Sequence, residues 1–292
     1  MLHASISEIT TLRWDLGREI DHLVRHGFDA IALWRTKVSD DGIDAARSRL
    51  QRAGIRVSSL RWAGGFTGCD GRSWRESVSD GHDAIDAAAR LGSPTLVVHT
   101  GCRGGHTVSH ARRLVRDALG TLTGHARREG VTLAVKPFHS AIAAGCGLPG
   151  GWAAALELVE EFGDPAVGLA LDAWQFTHES SFLAALPEIA PHLAIVHVAD
   201  GFGAPDLDGE RLPPGLGGLP LADLVGGLLD AGYDGDIEFD LVGESVEWMG
   251  YDAVLARTRR VADAWSLEAA TRRPAVRSSR TGITRPASAL AR

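Results

Sequence analysis

The stretch Glu129-Gly-Val-Thr-Leu-Ala-Val-Lys-Pro-Phe-His139 sets the fold. A helical pattern from Ser109 to Arg128 stops at a glycine, a short apolar and β-branched run follows, and Lys136, Pro137 and His139 give it a polar end. The same unit recurs in both directions along the chain. Strand-like runs cover Ile6 to Thr10, Ala30 to Trp34, Arg56 to Leu60, Thr95 to His99, Val131 to Lys136, Val167 to Asp172, Leu193 to Val198 and Asp236 to Leu241. Helical patterns separate them at Asp15 to His26, Ile43 to Ala53, Ser77 to Leu91, Ser109 to Arg128, Trp152 to Phe162, Ser181 to Ile189 and Leu221 to Ala231, with Tyr251 to Trp265 closing the series. Gly27, Gly54, Gly92, Gly130 and Gly232 stand where helices should stop.

Eight such units with no break in composition predict an α/β fold, a single (β/α)8 TIM barrel over residues 1–270. A doubly wound open sheet normally carries a glycine-rich turn after its first strand. None is present here, and Gly101-Cys-Arg-Gly104-Gly105 lacks the GxGxxG spacing, so it reads as a loop. Residues 271–292 carry six arginines, two prolines and no acid, and read as a disordered basic tail.

The balance of the chain excludes several classes of partner. A formal charge of −7 does not suit a phosphate-binding surface, so no nucleic acid is expected. No apolar run approaches the roughly 18 residues that a membrane span needs, and Met1 to Glu8 lacks the basic and apolar parts of a secretory signal, which places the expected site of action in the cytoplasm. Cys69, Cys102 and Cys146 are odd in number and far apart, without CxxC spacing, and read as free thiols. The expected partner is a small molecule.

In a barrel, the chemistry comes from the C-terminal ends of the strands. The polar residues there are Arg35, Arg61, His99, Lys136 with His139, Asp172 with Gln175, His197 with Asp200, and Glu238 with Asp240. Glu238 and Asp240, two apart on one strand, face the same side, one deeper than the other. Trp34, Trp62 and Trp174 fall at strand ends on one rim, where indole faces would stack on a ring or on the apolar side of a sugar. That lining suits a substrate with a partly apolar or aromatic portion. Arg211, in the long loop after the seventh strand, could take a substrate oxyanion or only brace its loop, and Glu8 and Arg35 are weaker pocket candidates.

Taken together, Ala30-Ile-Ala-Leu-Trp-Arg35, Gly54-Ile-Arg-Val-Ser-Ser-Leu60, Lys136-Pro137 with His139, Leu171-Asp172, His197-Val-Ala-Asp200 and Gly232-Tyr-Asp-Gly-Asp-Ile-Glu-Phe-Asp240 resemble the xylose isomerase-like TIM-barrel superfamily of sugar phosphate isomerases and epimerases. The resemblance runs from about residue 4 to residue 265. It implies a divalent cation such as Mn, Mg, Co or Zn, held by Glu, Asp, His and Glu on strands five to eight, with the two outer acids as an acid/base pair. It also implies a small carbonyl or sugar-like substrate, and relatives that often pair, so a homodimer is open. By position these four places fall on Lys136, Asp172, His197 and Asp240; Gln175 stands where a histidine is frequent, and Arg61 and Trp62 lie near the usual place of a loop arginine.

Lys136 reverses the charge of one ligand. An ammonium has donors and no lone pair to offer, and a like charge about 4 Å from a cation costs roughly 4 kcal/mol at an effective dielectric near 20. Three readings follow. The ammonium replaces the metal as electrophile while His197, Asp240 or His139 moves a proton; a neutral amine forms a Schiff base, which the neighbouring carboxylates oppose; or the lysine is a structural ion pair in a barrel without catalysis. The first gives the working expectation: a metal-independent isomerase or epimerase that transfers a proton next to a carbonyl, with isomerisation, epimerisation, elimination or rearrangement as the outcome. Lys136, Asp172, His197 and Asp240 are its catalytic residues. Trp34, Arg61, Trp62, His139, Trp174, Gln175, Arg211 and Glu238 would bind substrate. The alternatives are a metal enzyme using Asp172, His197 and Asp240, and a noncatalytic binding barrel.

Overall fold

A computed structural model describes residues 2–147 and 150–272 of the chain. Eight strands, β1 (His3–Ser7), β2 (Ala30–Trp34), β3 (Arg56–Gly64), β4 (Thr95–His99), β5 (Thr132–Val135), β6 (Val167–Asp172), β7 (Leu193–Val198) and β8 (Asp236–Phe239), pair in sequence order into a closed barrel. Every pairing is parallel, and β1 closes on β8 with Ser5 opposite Glu238. The single TIM barrel expected from the alternation is therefore the fold.

Helices cover the outside. Their starts are fixed by side chains that accept from orphan backbone N–H groups: Asp15 ahead of Leu16–Arg25, Thr107 ahead of Val108–Glu129, and Ser73 ahead of Trp74–Leu91, where Glu76 completes a capping box. The five glycines expected at helix ends all take a positive φ, between 69° and 89°, a region that costs other residues strain. One main core lies between strands and helices, and a small second cluster of Val97, Ala134, Ala170 and Ile195 fills the barrel itself. Two residues further along the same strands stand His99, Lys136, Asp172 and His197. The pleat sends both sets inward, so the polar set forms the layer above the apolar one, towards the strand C-termini.

The structure departs from the expected elements in places. The first strand ends at Ser7, because Thr10 N–H donates to the Ser7 carbonyl and turns the chain; the β-branched run at Ile9 to Thr11 imitates a strand. Short helices at Arg35–Asp41, Ser140–Cys146, Ala173–Phe176 and Glu244–Met249 are too brief to show a helical period in sequence. The last helix, Tyr251–Arg272, passes the expected start of the basic tail by two residues, and the tail from 273 to 292 lies outside the described residues. No helix among the described residues is long and apolar enough to cross a membrane.

Candidate active site at the barrel mouth

Lys136 follows β5 directly, and its N–H donates to the Val98 carbonyl at 2.9 Å, which continues the strand register and turns the side chain inward. Asp172 is the last residue of β6, His197 the penultimate residue of β7, and Asp240 follows β8 with its N–H on the Val198 carbonyl. Four consecutive strands thus deliver the four residues to one place. Lys136 Nζ lies 3.0 Å from Asp172 Oδ2, 3.3 Å from His197 Nδ1 and 4.0 Å from Asp240 Oδ2. All four side chains are buried.

Two arginines complete the cluster. Arg61 of β3 donates to Asp240 Oδ1 at 2.8 Å and lies 3.7 Å from Glu238 Oε2. Arg211 grips both oxygens of Asp172, at 3.0 and 2.6 Å, and approaches Asp240 Oδ2 at 3.6 Å. Single antiparallel bridges, Asp200 to Leu212 and Arg211 to Val242, hold this arginine over the mouth. Asp200 organises the same loop by accepting from the N–H groups of Gly201, Gly215 and Leu219. Lys136, Arg61 and Arg211 bring three positive charges and Asp172, Glu238 and Asp240 three negative ones, so with neutral His197 the cluster sums to zero.

The titrations follow from that packing. Burial pushes His197 down to about 4, Arg61 and Lys136 push the same way, and Glu238 opposes them, so the imidazole is neutral near pH 7. Burial raises Asp172, but Arg211 and Lys136 outweigh it and hold the carboxyl well below its usual range. Asp240 is likewise raised by burial and held low by Arg61, Arg211 and Lys136. Lys136 itself is lowered. Burial is the main cause, Asp172 works against it, and Arg211 and Arg61 add to it. The sequence pointed only to the carboxylates around this amine; burial, with Arg211 and Arg61 adding to it, outweighs them.

Other candidates divide by location. Glu238 lies under the cluster, accepts from Ser58 Oγ at 2.8 Å, and has Oε2 at 3.2 Å from His197 Nε2, outside hydrogen-bond alignment. Gln175 donates to Asp172 Oδ2 at 2.9 Å and accepts from the His139 N–H at 2.8 Å, so it fixes the aspartate from behind. His139 turns to Glu179, 3.0 Å away, and its Nδ1 accepts from the Ala141 N–H. Trp34 and Trp62 come together with centroids 6.3 Å apart, and Trp62 stacks on His99 at 4.7 Å with planes 6° apart. An open cavity of about 420 Å³ beside them is lined by Trp34, Arg35, Arg61, Trp62, Arg72 and Asp80. Trp174 lies apart from this pair: Arg211 sits over its ring at 4.6 Å, and its Nε1 donates to the Glu210 carbonyl.

Arg35 is held by Asp80 at 3.0 and 2.8 Å, and Glu8 Oε2 accepts from the Trp34 N–H at 2.5 Å, so both build the rim. Sequence reasoning missed Ser58, Arg72 and Asp80. Ser58 carried no signal, whereas Arg72 and Asp80 lie in and beyond a long strand-three loop whose path the sequence does not show.

The model of the family described as xylose isomerase-like TIM barrel matches residues 20–260. The chain belongs to that family. No curated protein matches it. Among solved structures, this xylose isomerase-like barrel is similar to protein SMc04130 from Sinorhizobium meliloti 1021, with 25% identity, 90% of this chain and 98% of the other covered, and a TM-score of 0.82. It is also similar to the IOLI protein with a binding zinc atom (20% identity, 92% and 98% covered, TM-score 0.76) and to an L-ribulose 3-epimerase (19%, 93% and 96%, TM-score 0.75). These likenesses concern the fold.

A divalent cation does not fit the donor set of this xylose isomerase-like barrel. Asp172 spends both oxygens on Arg211, Asp240 is engaged by Arg61, and Lys136 faces Asp172 and His197 Nδ1. Among the described residues, the His and carboxylate triplets with ligand atoms within 4.8 Å of one another are His22, His26 and Asp252, and His139, His178 and Glu179. Neither belongs to the strand-end cluster.

Proposed function

We propose that this barrel is an isomerase or epimerase-type enzyme that moves a proton next to a carbonyl without a metal, Lys136 providing the positive charge. The observation that carries the reading is the Lys136 ammonium among Asp172, His197 and Asp240, where it occupies the centre of the cluster. A carbonyl oxygen docked against this ammonium and the Arg211 guanidinium would find fixed positive charge for a developing enolate, in surroundings dry enough to strengthen it. The lowered affinity of Lys136 for its proton also makes it a ready donor to that oxygen.

Asp240 and neutral His197 are the acid/base pair of this reading. In the resting cluster Arg61 and Arg211 make Asp240 a weak base. A substrate that draws Arg211 onto itself would raise the basicity of Asp240, so the base is switched on by binding. Asp172 and Gln175 hold the lysine and arginine in place. The Trp34 and Trp62 faces favour a substrate with a flat or apolar portion beside its carbonyl.

The test is deuterium exchange. Chelator-treated protein is incubated in deuterated water with a panel of ketoses and aryl-substituted carbonyl compounds, and label next to the carbonyl is followed by NMR. Label that appears with chelator present and vanishes in Lys136→Met supports the reading. Exchange that stops on chelation and returns with Mn, Mg, Co or Zn would establish the metal enzyme instead, and ligand binding without any exchange a noncatalytic barrel.

A further inference from the structure

The first helix meets the last on the outside of the barrel. His22 lies in Leu16–Arg25 and His26 caps its C-terminus, and a spacing of four puts both imidazoles on one face. Asp252 stands in the first turn of Tyr251–Arg272. His22 Nδ1 and His26 Nε2 converge on one oxygen, Asp252 Oδ1, at 2.7 and 2.8 Å. Trp14 packs on the His22 ring at 4.3 Å, and the two histidine side chains are only 15% and 18% exposed, so the rings are held in position. A groove of about 530 Å³, bordered by Trp14, Arg18, His22, Glu247, Tyr251 and Asp252, opens beside them.

We propose that His22, His26 and Asp252 form a site for a divalent transition-metal ion, zinc foremost, that clips the first helix to the last. Two imidazole nitrogens and one carboxylate oxygen are the donor types zinc takes, whereas magnesium and calcium prefer oxygen alone. The three ligand atoms lie within 4.8 Å of one another, close enough for small side-chain shifts to bring each onto one ion. To take the ion, each ring nitrogen that now faces Asp252 would present its lone pair, with any ring proton on the other nitrogen. Arg25 Nη1, 3.4 Å from His22 Nδ1, belongs to an exposed side chain that can turn away. A fourth position facing the groove remains for water or a ligand. The site stands independently of the barrel-mouth chemistry.

The other His and carboxylate triplet is a weaker candidate, because His139 Nδ1 already accepts from the Ala141 N–H. Its Nε2 must then carry the proton and point it at Glu179.

Zinc is titrated by calorimetry into the chelator-stripped full chain, cobalt is used as a visible-absorption probe, and His26→Gln and Asp252→Asn are measured beside the wild type. The expected result is one bound equivalent, a higher unfolding temperature with zinc, and a loss of affinity of about tenfold or more in each variant. His26→Gln retains a polar partner for Asp252 and should fold, which circular dichroism checks; its deuterium exchange at the barrel mouth should match the wild type. No uptake by the wild type, or uptake unchanged in both variants, overturns the proposal. Uptake lost only in Cys69→Ser or Cys102→Ser assigns the ion to the thiols and overturns it as well.

Discussion

Arg211 takes both carboxylate oxygens of Asp172 in a fork, at 3.0 and 2.6 Å, although the two residues lie 39 positions apart in the chain. One belongs to a rigid strand end and the other to a loop, so the pair joins the scaffold to the segment that covers it. Lys136 shares the same Asp172 oxygen at 3.0 Å. Arg211→Ala should therefore weaken substrate capture and leave the fold nearly intact. The expected effect is a fall of about 10- to 100-fold in kcat/KM, equivalent to roughly 1.4–2.8 kcal/mol, with an unfolding midpoint close to wild type.

Lys136→Met removes the central charge and leaves two buried carboxylates with fewer partners. Turnover should fall by about 100-fold or more. Stripping one partner from a buried ion pair typically costs about 3–5 kcal/mol, and Arg61 and Arg211 should hold the loss to the lower end. Deuterium exchange and urea unfolding of the same preparation separate the two effects.

His197 gives the stability a defined pH dependence. Its pKa is about 4 in the fold and about 6.5 in an unfolded chain. Between these values the unfolded state binds the proton and the folded state does not, so acidification favours unfolding. The contribution is complete above pH 6.5 and is lost as pH falls towards 4. Urea midpoints between pH 4 and 7 should rise with pH, and His197→Asn should flatten that slope. Asp172 and Asp240, both held low, add losses at more acidic pH.

Trp62 is 38% exposed, so Trp62→Ala should barely move stability. Losing one aromatic face typically costs about 0.5–1.5 kcal/mol. The expectation is a KM raised by about 2- to 12-fold for a carbonyl substrate with a flat portion, and little change for one without. Steady-state kinetics on a matched pair of substrates checks it.

The barrel was legible because its signals repeat: strand, polar end, helix, glycine. The four central residues were legible for the same reason, since Lys136, Asp172, His197 and Asp240 stand at the ends of neighbouring strands and the fold dictates that they meet. What could not be read were contacts made through loops. Arg211 lies far from Asp172 in sequence, and its place over the mouth shows only in the folded chain, through the bridges to Val242 and between Asp200 and Leu212 and through its contact with Asp172. Burial first, and then Arg211 and Arg61, lower the proton affinity of the Lys136 amine against the carboxylates that would raise it. Trp174 shows the limit differently. It shares a rim position with Trp34 and Trp62, but its indole is committed to Arg211 and the Glu210 carbonyl instead of stacking with them.

The zero sum of the barrel-mouth charges has an evolutionary reach. Exchanging Lys136 for glutamate would leave two cations against four anions, a surplus of two electrons' worth of charge, which is what one doubly charged ion cancels. Lysine and glutamate codons differ by a single base. One base change would thus turn the balanced cluster into one with a net charge of −2, with every strand and helix left in place.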